Sequence, residues 1–157
     1  VVVPAAHVEF RKRTTLDGST VDIVIDGRPL TDLAREAELE SASLEGKPDL
    51  AGKYGGLPWE VVATHLLVGE ANGIWSVLEA DQGTHRIPLL VCACGEPGCW
   101  PLMATFEMVA SRIIWRDFHQ PHRRDWNHSK LGPFSFERQQ YLDALEEALR
   151  SPDSPPG

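Results

Sequence analysis

No stretch of this chain approaches the roughly eighteen consecutive apolar residues that a membrane-spanning helix needs. Val1-Val2-Val3 is too short for the apolar segment of a signal peptide. Cysteine is scarce, with three in 157 residues. That odd number argues against a disulfide framework and fits a reducing cytoplasm. Several catalytic signatures are missing: there is no G-x-S-x-G elbow, no H-E-x-x-H helix, no G-x-G-x-x-G turn and no pair of C-x2-C knuckles. The glycines around Lys53 lack the G-x4-G-K-[ST] order of a phosphate loop. Positive charge is also short, with 15 Lys and Arg against 23 Asp and Glu for a net charge of −8. Such a balance disfavours general nucleic-acid binding, while a local basic patch still permits one anionic partner.

What is present is concentrated between Ile87 and His122. Ile87 to Cys94, Cys99 to Met108 and Arg112 to Phe118 each have strand length and are rich in β-branched or aromatic residues. Gly95-Glu96-Pro97-Gly98 is a four-residue hairpin loop between the first two. Ala110-Ser111 is a weaker turn, because neither residue favours a positive φ. Side chains alternate across a sheet. One face therefore carries Leu89, Val91, Ala93, Trp100, Leu102, Ala104, Phe106, Met108, Ile113 and Trp115, and must be the core face. The mixed face carries Cys92, Cys94, Cys99, Met103, Thr105, Glu107, Arg116 and Phe118.

This register puts Cys94 opposite Cys99 and brings Cys99 toward His122. Three thiolates and an imidazole form a tetrahedral zinc set, which makes Cys92, Cys94, Cys99 and His122 candidate metal ligands, with His119 as a substitute for the last. Two other readings stand beside it. The cysteines serve as small buried hydrophobes, or Cys94 and Cys99 form a cross-strand disulfide that leaves Cys92 over. A nucleophilic Cys99 with His122 nearby is the thiol version of the same cluster.

Around the meander, His7 to Thr14 and Val21 to Asp26 read as a hairpin turning at Asp17-Gly18-Ser19. Thr31 or Asp32 caps a helix reaching about Leu44, with Leu30, Leu33, Ala34, Ala37, Ser41 and Leu44 along one side. Its acids lie elsewhere, on a face that is either solvated or turned to a basic partner. Gly46 to Gly56 is a loop. A short helix or coil from Pro58, a short strand near His65 to Val68 and a strand at Trp75 to Glu79 follow. His119 to Pro133 is a loop rich in histidine and cations, and loops often carry function. Arg116, His119, Arg123, Arg124 and Trp126 are its candidate ligand- or partner-binding residues: cations for phosphates, an indole to stack a base. As plain surface, the same loop uses Trp126 as its anchor to the body. Ser135 caps a last helix, Phe136 to Arg150, with Tyr141, Leu142, Leu145, Ala148 and Leu149 as its apolar stripe.

The run C-x-C-G-x2-G-C-W-P-L over Cys92 to Leu102, Trp115 with Phe118, and G-P-F-x-F-x4-Y over Gly132 to Tyr141 resemble a group of small uncharacterised bacterial proteins. The resemblance covers about 70 residues, from Ile87 onward. It implies a bacterial, cytoplasmic protein and brings no activity with it.

The expected fold is α+β: an antiparallel sheet with a central three-stranded meander, covered by two principal helices. A single domain is expected over residues 1–150, with a disordered tail at 151–157. Three functions fit these residues. The first is a non-catalytic binding module, such as an adaptor or an immunity-like protein, that captures a protein partner. The second is a metal- or thiol-dependent enzyme built on the cysteine–histidine cluster, with zinc as its cofactor. The third is a nucleotide or nucleic-acid binder working through residues 112–130.

Overall fold

Period-2 alternation in the first 25 residues and again after residue 84 builds two separate β-sheets, which close on one apolar core. The computed structural model describes residues 4–16, 18–58, 84–92 and 99–150. The strands expected at His65 to Val68 and Trp75 to Glu79, and the loop Gly95 to Gly98, lie outside these residues.

In chain order the elements are β1 (Ala5–Ala6), β2 (Val8–Thr15), β3 (Gly18–Ile25), β4 (Arg28–Pro29), α1 (Leu30–Leu44), β5 (Leu57–Pro58), β6 (Thr84–Leu90), β7 (Leu102–Val109), β8 (Arg112–His119), β9 (Phe134–Glu137) and α2 (Arg138–Arg150). The expected meander is β6-β7-β8, antiparallel throughout, and β9 and β1 extend it into a five-stranded sheet ordered β1-β9-β8-β7-β6. The N-terminal hairpin, β2 with β3, belongs to a second sheet that β4 and β5 complete. The fold is α+β, with two sheets where the sequence led us to expect one. Leu89, Val91, Leu102, Ala104, Phe106, Ile113 and Trp115 are all buried, as alternation requires of the core face. They meet Val8, Phe10, Val21, Ile23 and Ile25 of the hairpin, Leu30, Ala34 and Ala37 of α1, and Tyr141, Leu145 and Ala148 of α2. Trp115 is the centre of this core, edge-on to Phe136, Tyr141 and Phe10 with ring centroids 4.8, 5.8 and 6.5 Å away.

Three local readings are corrected. Ser135 does not cap the last helix: β9 occupies Phe134–Glu137, so α2 starts at Arg138, and the Ser135 hydroxyl accepts from Arg112. Phe118 belongs to the core rather than the mixed face. Between the pairs Thr105–Arg116 and Met103–His119, β7 advances two residues and β8 three. This bulge holds Asp117 at φ 54°, with no register partner on β7, and returns Phe118 to the buried side. Leu44 drops out of the α1 stripe and is exposed, while Glu38 is in the interior. The turn after β7 is as tight as expected, and it holds Ala110 at φ 51°. At β2, an outer strand of the hairpin sheet among the described residues, the Gln140 side chain of α2 accepts from the Val8 N–H (3.0 Å) and donates to the Val8 carbonyl (2.7 Å).

Candidate ligand-binding site

The apolar stripe of α1 begins at Leu30 and Ala34, and continuing it by three- and four-residue steps leads to Glu38, Ser41, Ala42 and Glu45. The helix therefore turns from an apolar to a polar contact along a single face. Facing that second half is the irregular segment 120–133, which runs from the end of β8 to β9. Three consecutive residues of the segment donate to the three helix acceptors in reverse order. The Trp126 indole N–H donates to Glu45 (3.0 Å), the Asn127 backbone N–H to the Ser41 hydroxyl (3.0 Å), and His128 Nε2 to Glu38 (2.8 Å). Seven helical residues rise about 10.5 Å, whereas two steps of extended chain cover about 7 Å. The long Trp126 and His128 side chains at either end make up the difference.

Glu38 is the hub of this seam. Its side chain is fully buried, a setting in which a carboxylate persists only when it is paired and hydrogen-bonded. Besides His128, it accepts from the Gly52 N–H (2.9 Å) and from the Tyr54 hydroxyl (2.6 Å). Gly52 is required there: at φ +67° it lies against Arg35 of α1, and a Cβ would stand 2.5 Å from the Arg35 Cβ. Gln120, also fully buried, donates to the Tyr54 oxygen (3.3 Å) and accepts from the His122 N–H (3.1 Å). Burial first, and then the charge of Glu38, push the Tyr54 phenol far above its ordinary pKa, so it remains a neutral donor. At the other end of the seam Glu45 also accepts from Arg123 Nε (2.9 Å). The Trp126 indole, and then Arg123, hold the Glu45 carboxyl below the usual carboxylate range.

Beyond the seam, the segment and the bulged end of β8 enclose a cleft of about 590 Å³. Arg86, Arg116, Asp117, His119, His128 and Ser129 supply its polar wall, and Phe118, Leu131 and Pro133 its apolar one. Arg116 donates to Glu107 (2.9 Å) and to Asp117. Bonding to Glu107 above all keeps its guanidinium charged. Arg86 is exposed and makes no ion pair among the described residues.

The candidates from the sequence divide between these places. Arg116 and His119 line the cleft. Arg123 and Trp126 are engaged with Glu45, and Trp126 is buried, as the anchoring reading of the loop has it. Arg124 is exposed near Ser41 and Glu45. Of the cysteine–histidine set, Cys92 is half-buried just beyond the bridge between Val91 and Gly55, Cys99 is exposed in the turn before β7, and Cys94 lies outside the described residues. His122 is exposed and stacks on Trp100, the planes 7° apart and the centroids 6.0 Å apart. The β7–β8 ladder ends at Met103–His119, so Cys99 and His122 are not paired by it. Among the described residues, no three His, Cys, Asp or Glu side chains gather in a metal-binding group. Sequence reasoning passed over Tyr54, Gln120 and Arg86, and it set Glu38 with the other acids on the outer face of α1, where the structure buries it. A signal existed only for Glu38, an acid standing four and eight residues beyond Ala34 and Leu30 on the stripe.

No protein-family model matches this chain, and no curated protein or solved structure does either.

Proposed function

We propose that this protein is a non-catalytic binding module, and that it captures a protein partner through the cleft beside the seam. One observation carries this reading. The only fully buried carboxylate among the described residues, Glu38, spends its oxygens on Gly52, Tyr54 and His128. The network thereby fixes one wall of the cleft in advance, and a preformed wall lowers the ordering cost of binding. The acidic face of α1 is a poorer contact surface. Glu36 is paired with Arg28, Glu38 is buried and Glu45 is held by Arg123 and Trp126.

Position-specific photocrosslinking tests the proposal. A photoreactive residue at Ser129 or Pro133, on the cleft, is compared with one at Glu146, exposed on α2. A single partner should crosslink from both cleft positions and not from Glu146. Once purified, it should bind the unmodified protein and lose at least roughly tenfold in affinity when His119→Glu adds a negative charge to the cleft. Equal capture from all three positions, or unaltered affinity of His119→Glu, sinks the cleft as the contact surface.

A further inference from the structure

The pairings Arg86–Thr105 and Thr105–Arg116 place these three residues in one row across β6, β7 and β8. The row lies on the face opposite the core, since the neighbours Ile87, Ala104, Phe106 and Trp115 are all buried on the other side. Strands are about 4.8 Å apart, so the two arginine backbones stand roughly 10 Å apart with a threonine between them. Both arginines line the cleft, while Thr105 between them is buried. In the next row the bulge brings His119 opposite Met103, and its imidazole joins Arg86 and Arg116 in the wall of the cleft.

On the reading that the cleft takes a protein partner, we infer that this row binds a phosphate group carried on a side chain of that partner. A carboxylate offers two coplanar oxygens, which a single arginine fork satisfies. Phosphate offers three oxygens in different directions, and two arginines and an imidazole on three different backbone positions of the cleft wall can each take one. Arg116 gives Nε to Glu107 and Nη1 to Asp117, which leaves Nη2 for a ligand. Arg86 supplies the uncompensated charge. The cleft volume of about 590 Å³ exceeds what one oxyanion fills and leaves room for the residue that carries it. Glu107 and Asp117 set a limit: they repel a dianion, so the site holds phosphate only as part of a larger contact.

The test uses the full chain and three probes: a phosphoserine peptide, the same peptide unphosphorylated, and inorganic phosphate. Backbone amide shifts and calorimetry provide the readouts. The phosphopeptide should shift the amides of Arg86, Thr105, Arg116 and His119 and bind at least roughly tenfold tighter than inorganic phosphate, while the unphosphorylated peptide leaves those amides unmoved. Arg86→Gln alters an exposed side chain and spares the fold, and it should weaken the phosphopeptide about tenfold or more. Glu107→Gln should strengthen it severalfold by removing a repelling charge. Affinity should also fall steeply with salt. Phosphopeptide binding that ignores Arg86→Gln, or no shift in the row at millimolar peptide, overturns the inference. Equal affinity for peptide and free phosphate overturns the protein-borne source. A crosslinked partner that still binds Arg86→Gln after phosphatase treatment sinks the phosphate inference and leaves the binding module standing. Loss of position-specific capture with the phosphopeptide still bound has the opposite meaning.

Discussion

The two contacts that organise the molecule use opposite physics. Between the sheets, Trp115, Phe106, Tyr141 and their neighbours exclude water from an apolar interior, and no single partner is indispensable to another's charge. Between α1 and segment 120–133, Leu131 still reaches the main core. The rest of the contact depends on specific donors meeting specific acceptors, with a small apolar cluster among the described residues: Ala42, Ala51 and Trp126, with Leu50 and Trp100 beside them. An apolar core degrades in proportion to the volume removed. A polar seam fails whenever one partner is left unpaired. The protein therefore keeps its general stability in one place and the shape of its cleft in another.

Trp115→Ala should break the first region. It removes the ring at the centre of the core and should cost about 3–5 kcal/mol, a large share of the roughly 5–15 kcal/mol typical of a domain. Denaturant unfolding should show the whole chain losing structure together. If segment 120–133 lost hydrogen-exchange protection well before the sheets in this variant, the two regions would be separate in stability as well as in chemistry.

Glu38→Gln attacks the second region with little change of shape. Replacing charge-assisted bonds by neutral ones should cost about 2 kcal/mol, and hydrogen exchange should rise first at residues 120–133. The two tyrosines sharpen the contrast, because each region holds one. Both phenols are raised above their ordinary value of 10.0, Tyr141 by burial and Tyr54 by burial together with the Glu38 charge. Folding therefore favours the neutral phenols, and the stability they carry is lost as pH rises beyond 10.0. Absorbance titration should show no phenolate near that pH before unfolding. In Glu38→Gln the phenol of Tyr54 should ionise at a lower pH than in the parent, with Tyr141 unmoved. A matching change at Tyr141 would mean that the variant loosens the whole fold.

Smaller effects are expected at the periphery. Ala110→Gly relieves a left-handed residue in the β7–β8 turn and should stabilise the protein by about 1 kcal/mol, measured as a raised denaturant midpoint with an unchanged slope. The Glu45 carboxyl, held low by Trp126 and Arg123, contributes stability that is present above the usual carboxylate range and lost as pH falls through its depressed value. Acidification should accordingly leave the Trp126 indole N–H resonance in place through the usual range and shift it only below. An early shift would mean that the contact does not hold in solution.

How far each region could be read from the sequence follows the same division. The meander strands and the hairpin announce themselves because alternation is a local property, visible within eight residues. The bulge at Asp117 does not, since the extra residue is defined by pairing with β7 and leaves no mark on β8 itself. The seam is harder still. Glu45–Trp126, Ser41–Asn127 and Glu38–His128 join residues 81, 86 and 90 positions apart, and no periodicity links a helix to an irregular segment. Thr105 and Arg116 share the mixed face by alternation, but only the register of three strands adds Arg86 and makes them a row.

The bond pair between Gln140 and Val8 has a meaning for the life of the protein among its own copies. An unpaired strand edge is a template on which another chain can polymerise. The amide of Gln140 offers one donor and one acceptor in the places where an added strand would offer its own, and so acts as a decoy peptide unit. An incoming strand would first have to evict a group already tethered to α2. Further along β2, Arg11 and Arg13 add charge to the same border. Gln140, carried on the helix that packs along β2, thus signals to neighbouring chains that the sheet is already finished.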